Sequence, residues 1–183
     1  MTRTEEPVPP VARRIDPAEL KSVLGHFCTG VTVITAHDGE SPHGFTCQSF
    51  VSLSLDPPYV SFSPARTSTS WPRLRASEHV CVNVLAHDQR DVCGTFATSG
   101  ADKFADVGWS HARNGAPALD GVLAQVQATV EFEHDAGDHT IVVARVTGLD
   151  VLRDAPPLLV YRGGLGISVG WRPVDSQLAD PRP

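Results

Sequence analysis

From Leu123 to Phe132 the chain alternates. Leu123, Gln125, Gln127, Thr129 and Glu131 fall on one parity, and Ala124, Val126, Ala128, Val130 and Phe132 on the other. Successive side chains of an extended strand point to opposite faces, so the pattern is that of a long strand with one dry and one wet face. Asp135-Ala136-Gly137-Asp138 follows as a turn signal, and His139 to Val146 runs back as a second strand. A chain carrying such a hairpin has to build a sheet around it.

The remaining strand signals agree. Val31 to Ala36 is β-branched, Asp38-Gly39 marks a turn, and the next strand begins near Pro42. Between His43 and Val60, Ser52, Ser54 and Asp56 share one parity and Val51, Leu53 and Leu55 the other, which predicts one apolar face. Asp56-Pro57-Pro58 interrupts that ladder, because neither proline donates a backbone N–H. His79 to Leu85 and Leu158 to Tyr161 read as further strands, the latter set off by Pro156-Pro157.

Helices are few. Asp16-Pro17-Ala18-Glu19 is a helix start, with Asp16 as N-cap and Pro17 in the first turn. Leu20, Val23, Leu24 and Phe27 then repeat at helical spacing, which predicts one face on the core, and Gly30 can end the helix. Ser70 is an N-cap candidate for Trp71 to Ala76. Asp88 to Phe96 reads as a helix, Ala101 to Phe104 as a short turn, and Asn114-Gly115-Ala116-Pro117 as a loop. Six or seven strands joined by hairpins, with no regular βαβ alternation and no G-x-G-x-x-G after a strand, exclude a dinucleotide-binding doubly wound sheet. Pattern alone favours a closed antiparallel barrel. The expected organisation is a flexible arm over 1–15, one domain over 16–171 and a loose tail over 172–183.

Charge and cysteine usage exclude several classes. A formal net charge of −6, without a basic stripe, argues against nucleic-acid binding. No apolar run has the length of a membrane span and the N-terminus is acidic and proline-rich, so a cytoplasmic protein with no membrane association is expected. Cys28, Cys47, Cys81 and Cys93 form no C-x-x-C pair and read as small buried side chains with free thiols. The 8 histidines show no zinc spacing, and no G-x-S-x-G elbow is present.

Three stretches have residue types suited to binding. Thr46, Cys47, Gln48, Ser49 and Phe50 offer many neutral polar groups and one ring in few residues. They suit either a polar planar ligand or a solvent-facing strand. Ser63 to Trp71 gathers hydroxyls, Ser68 among them, and the charge of Arg66 before a helix start. They suit either a phosphate or plain helix capping. Gly137-Asp138-His139 puts a histidine at a strand start, as a turn residue or a positioning group. Asp138 and His139 are sequence neighbours and are expected to face opposite sides rather than to pair.

Phe27-Cys28-Thr29-Gly30-Val31-Thr32-Val33-Ile34-Thr35, the stretch from Gly44 to Pro58, Cys81-Val82-Asn83-Val84-Leu85, Lys103-Phe104, Gly137-Asp138-His139 and Leu159-Val160-Tyr161-Arg162-Gly163 occur together in order. In this combination the chain resembles the flavin reductase-like family, whose members supply reduced flavin to two-component monooxygenases. The resemblance covers roughly residues 18 to 165.

It implies a mainly β fold, a Greek-key split β-barrel with a few short helices, working as a homodimer with flavin near the subunit interface. It also implies an NAD(P)H-dependent flavin reductase, for which FAD is preferred to FMN and NADH to NADPH, with FMN and NADPH as the alternatives. The reduced flavin then diffuses to a separate monooxygenase of aromatic or steroid catabolism or of antibiotic biosynthesis. By the same resemblance Thr46, Cys47, Gln48, Ser49, Phe50, Ser63, Ser68, Trp71, Asn83, Leu85, Phe96, Lys103, Phe104, Tyr161 and Arg162 are flavin-binding candidates. Ser68 and Lys103 are assigned to the phosphate, and His139 to the nicotinamide side as the catalytic candidate. A flavin-holding sensor and a pyridoxamine-phosphate-oxidase-like enzyme are the alternatives.

Overall fold

The computed structural model describes residues 13–100 and 102–167. The elements run α1 (Pro17–Leu24), β1 (Thr29–Gly30), β2 (Thr32–His37), β3 (Pro42–Cys47), β4 (Val51–Leu55), β5 (Pro58–Phe62), α2 (Trp71–Arg75), β6 (His79–Val84) and α3 (Arg90–Ala97). They continue with β7 (Trp109–His111), β8 (Pro117–Leu119), β9 (Ala124–Ala136), β10 (His139–Val151), β11 (Leu158–Tyr161) and β12 (Gly164–Ile167). Most of the expected arm, residues 1–12, and the whole expected tail over 172–183 lie outside the described residues.

The hairpin of β9 and β10 is the spine of a seven-stranded antiparallel sheet ordered β3-β2-β6-β9-β10-β5-β4. Gly137, at φ 65°, and Asp138 close the hairpin, and Ala136 pairs with His139 across it. β1, β11 and β12 form a small second sheet, and β7 and β8 a short hairpin. The two edge strands of the large sheet, β3 and β4, are consecutive in sequence, separated only by Gln48, Ser49 and Phe50. The sheet therefore curls until its edges approach, yet among the described residues no ladder joins β3 to β4. The closed barrel favoured by pattern is corrected to a sheet with two edges.

β2 explains how the core is layered. Its Ile34 and Ala36 belong to one buried cluster, with Phe45, Phe62, Trp71 and Leu74. Val33, of the other parity, joins a second cluster with Leu85, Phe96, Phe104 and Leu158. Both faces of β2 are dry, and the segment accordingly reads as a β-branched run without polar alternation.

Three expectations are corrected. α1 starts as read, with Asp16 Oδ1 accepting from Ala18 N at 2.7 Å, but it stops at Leu24 with Gly25 as C-cap, and Gly30 lies in β1. Its apolar stripe does not pack on the core, for Val23 and Phe27 are 63% and 77% exposed. Likewise Val51, Leu53 and Leu55 of β4 are exposed. On β9, the face expected to be wet is dry at Gln125 and Gln127. The segment carrying β8 folds over Gln125, whose Nε2 donates to Leu119 O at 3.1 Å, while Gln127 Nε2 donates to Asp150 Oδ2 at 3.2 Å. Amides with partners are buried without the cost of an unpaired polar group.

Candidate functional site

The linker that joins the sheet's two edges also shapes a cavity of about 410 Å³. The end of β3 and the linker supply Thr46 to Ser49, and the loop between β5 and α2 supplies Ser63 to Ser70 except Arg66. The end of α3 supplies Phe96, and Lys103 and His139 complete the walls. β3 pairs with β2 along one side only, so alternate main-chain groups on its other side are not used by a ladder.

Several hydroxyls here hold the walls together. Thr46 Oγ1 donates to Cys93 O at 2.7 Å and ties β3 to α3. Ser49 Oγ accepts from Ser63 N at 2.8 Å and donates to Ser63 O at 3.3 Å, pinning the linker to the next loop. Cys47 Sγ and Ser49 Oγ are 3.2 Å apart. Ser68 Oγ accepts from Trp71 N at 3.1 Å, so Ser68 rather than Ser70 caps α2 by its side chain. Gln48 is exposed and makes no hydrogen bond among the described residues.

Lys103 is the nearest cation. Its Nζ donates to Gly44 O at 3.0 Å, Phe96 O at 3.1 Å and Ser70 Oγ at 3.2 Å. An ammonium has three protons, so as placed Lys103 offers a ligand its charge and no free N–H. Burial lowers its pKa from the usual lysine value. Below Thr46, burial raises the pKa of the Cys93 thiol, against the pull of the Thr46 hydroxyl. Both effects fit a half-dry wall.

Contrary to expectation, His139 pairs with its neighbour. Its Nδ1 lies 2.8 Å from Asp138 Oδ1, and this contact holds the Asp138 carboxyl below its ordinary value. The rule that neighbours face opposite sides applies along a strand, and Asp138 is in the turn. The turn is anchored in addition, because Arg66 N donates to Asp138 O at 2.9 Å and Thr140 N to Pro64 O at 3.0 Å. His139 thus reaches the cavity from the hairpin tip, docked on the hydroxyl-rich loop.

Of the candidates, the cavity brings together Thr46, Cys47, Gln48, Ser49, Ser63, Ser68, Phe96, Lys103 and His139. Phe50 packs against the first core cluster. Trp71 is buried edge-on against Phe62, ring centroids 5.6 Å apart. Asn83 is fully buried, donating to Val33 O at 3.2 Å and Thr35 Oγ1 at 3.0 Å and accepting from Leu119 N at 2.9 Å, which fastens the β7–β8 hairpin to the sheet. Leu85 is in the second core cluster. Tyr161 and Arg162 lie beside the end of α1, where Arg162 N donates to Gly25 O at 2.7 Å. Phe104 lines a second cavity of about 750 Å³ that adjoins the first. Thr67, Thr69 and Ser99 also line the smaller cavity. The two threonines belong to the hydroxyl-rich stretch visible in the sequence. Ser99 had no signal there, since only folding brings the end of α3 to this place.

Chemically the site has a neutral polar strand edge, a wall backed by the buried Phe96, hydroxyls before a helix and a half-buried cation. That set fits a planar heteroaromatic ligand with an anionic tail. Among the described residues no cluster of three metal-binding side chains occurs.

The family described as "Flavin reductase like domain" matches residues 24–167. The chain is 47% identical over 152 residues to the reductase subunit HsaB of a flavin-dependent monooxygenase from Rhodococcus jostii, covering 83% of this chain and 78% of that protein. The structure of nitrilotriacetate monooxygenase component B from Mycobacterium thermoresistibile superposes with a TM-score of 0.83 at 42% identity, covering 86% of this chain and 90% of that one. The NADH:FAD oxidoreductase SgcE6 from Streptomyces globisporus, in complex with NAD and FAD fragments, superposes with a TM-score of 0.80 at 31% identity, covering 87% and 98% of the two chains.

Proposed function

The chain belongs to the flavin reductase-like family, and from that membership we propose the reaction it carries out: reduction of free flavin by NADH, with release of the reduced flavin to a separate monooxygenase. The observation that carries this reading is the convergence of the Thr46–Ser49 strand edge, the Ser63–Ser70 loop and His139 on one cavity within the matched residues. The relatives' names support it, being a monooxygenase reductase subunit and an NADH:FAD oxidoreductase. They favour catalysis over the sensor and pyridoxamine-phosphate-oxidase-like alternatives. FAD rather than FMN, and NADH rather than NADPH, are the substrates in this reading.

Bound flavin supplies the atom that accepts the hydride from reduced nicotinamide. The protein's own residues bind and orient. The strand edge and the Gln48–Ser49 linker would meet the polar rim of the ring system, on a wall backed by the buried Phe96. The loop before α2, with the charge of Lys103, holds the phosphate end. His139, oriented through Nδ1 by Asp138, keeps Nε2 for the nicotinamide, whose placement decides the rate.

The rest of the proposal concerns architecture. A curled sheet whose edge strands are consecutive in sequence suits a Greek-key split barrel spanning 16–171. The exposed stripe of α1 together with β4 suits a second copy of the chain as partner. The absence, among the described residues, of a helix long and apolar enough to cross a membrane fits a cytoplasmic location.

The deciding experiment is NADH oxidation by purified protein with and without added flavin. Turnover that depends on added flavin is the expected result. A stoichiometric yellow protein without NADH turnover would establish the sensor reading in its place.

A further inference from the structure

The three acceptors of the Lys103 ammonium are not alike. Gly44 O and Phe96 O, at 3.0 and 3.1 Å, are main-chain carbonyls. The first is fixed by the pairing of β3 with β2, and the second by the end of α3. Phe96 O is among the last four carbonyls of that helix, which have no partner within it. Gly94 O and Thr95 O are met by Thr98, through its hydroxyl at 3.0 Å and its amide at 3.4 Å. Phe96 O is met by Lys103, a cation at the negative end of the helix dipole. Neither carbonyl can turn away without moving its element.

Ser70 Oγ, at 3.2 Å, is the third acceptor and the only side chain among them. One rotation about χ1 takes it away from the ammonium. Nothing else among the described residues engages it. Its hydroxyl has no acceptor there, and α2 is capped by Ser68, whose Oγ accepts from Trp71 N at 3.1 Å. An ammonium has three protons, so a further acceptor can only replace one of these three. Ser70 and Lys103 both line the smaller cavity. A phosphate that enters there therefore reaches Nζ beside the one partner that can leave.

We propose that Ser70 competes with the flavin phosphate for Lys103, and that this competition keeps the flavin loosely held and quickens its departure. The proposal rests on the flavin reductase reading. A phosphate that takes the third N–H gains a charge-assisted contact, but the same N–H gives up Ser70, so the net gain is the difference between the two. When the flavin leaves, the hydroxyl turns back to the ammonium. Such a device suits an enzyme whose product is a free reduced flavin. Phosphate contacts hold the oxidised and the reduced flavin alike, and without a competitor they would delay release.

The test is fluorescence titration of FMN and of riboflavin, which lacks phosphate, without NADH, on wild type, Ser70→Ala, Lys103→Met and the double variant. Ser70→Ala removes one oxygen from a half-buried position and is expected to fold. It should bind FMN about fivefold more tightly than wild type, the scale of one hydrogen bond. Stopped-flow fluorescence should show FMN leaving it about fivefold more slowly, with riboflavin unchanged. In the Lys103→Met background Ser70→Ala should change nothing for FMN, because the group competed for is gone. FMN binding weakened by Ser70→Ala would make the hydroxyl a direct phosphate donor and overturn the proposal. Unchanged FMN binding, equal tightening of riboflavin, or the same tightening in the Lys103→Met background would overturn it too. All of these leave the reductase reading in place. Failure of that reading shows itself separately, as no NADH oxidation with either flavin, while the titrations still report on Ser70.

Discussion

Lys103 and Ser70, which line both adjoining cavities, meet at 3.2 Å, with Ser70 turned from the helix it precedes toward the ammonium. The same ammonium closes on Gly44 O and Phe96 O, so one side chain staples β3, α3 and the loop before α2.

Lys103→Met is therefore expected to act on stability as well as on flavin. It leaves two carbonyls without that donor, at a cost of about 1–2 kcal/mol, the lower part of the range for unsatisfied groups because the site is half-exposed. Urea unfolding measures this. Loss of the charge should raise the KM for FAD several-fold and that for riboflavin, which lacks phosphate, much less. An unchanged unfolding midpoint would remove the staple.

His139→Ala is expected to slow flavin reduction by up to about 10²-fold and to raise the NADH KM, with flavin affinity changed far less. Stopped-flow reduction of bound flavin separates these. Asp138→Asn should show a weaker form of the same phenotype, since the amide can still meet Nδ1 but carries no charge. Wild-type NADH dependence in His139→Ala would leave the residue to the turn alone.

Gly44 has no room for a side chain. A Cβ there would lie 2.6 Å from Phe96 Cε1 and 3.2 Å from Ile34 O. Phe96 is buried edge-on against Phe104 at 5.0 Å and has little room to retreat. Gly44→Ala is expected to cost about 1–3 kcal/mol as overpacking and to weaken flavin binding by moving the Phe96 ring. Thermal unfolding and flavin titration of one sample read both.

Asp38 sets an acid limb. The amide of Ser41, then the His43 side chain, then the amide of Glu40 hold its carboxyl well below the usual carboxylate range. A carboxyl depressed in the folded state is protonated first in the unfolded one. Its contribution is complete above about pH 4 and is lost as pH falls further. Asp38→Asn should thus lower stability at neutral pH and flatten the fall of the unfolding midpoint between about pH 4 and pH 2. Parallel curves for the two proteins would show that Asp38 does not contribute.

The stripe of α1 gives the assembly prediction. Leu20, Val23, Leu24 and Phe27 are all exposed in one chain. Light scattering at micromolar concentration is expected to report a dimer, and Phe27→Glu to shift it toward monomer. A wild-type monomer with full activity would end the idea.

What the sequence by itself determined is what depends on near neighbours. The alternation from Leu123 to Phe132 specified the long strand, Gly137-Asp138 its turn, and Asp16-Pro17 the start of α1. A pleat, a positive φ and an N-cap are each written within a few residues. Motif order grouped Thr46–Ser49, Ser63, Ser68 and His139, which the fold brings to one cavity, and without it each stretch was an ordinary strand or cap. Only the tertiary structure decided which polar groups go dry and which apolar ones stay wet. Gln125 and Gln127 alternate as a wet face does, yet the folded chain brings them Leu119 O and Asp150. The stripe of α1 repeats as a core face does, yet nothing among the described residues covers it. Lys103 is a lone cation in sequence, and two of its three acceptors, Gly44 O and Ser70 Oγ, come from distant segments. Burial and hydrogen bonding are settled by what arrives from elsewhere in the chain, and periodicity carries no record of that.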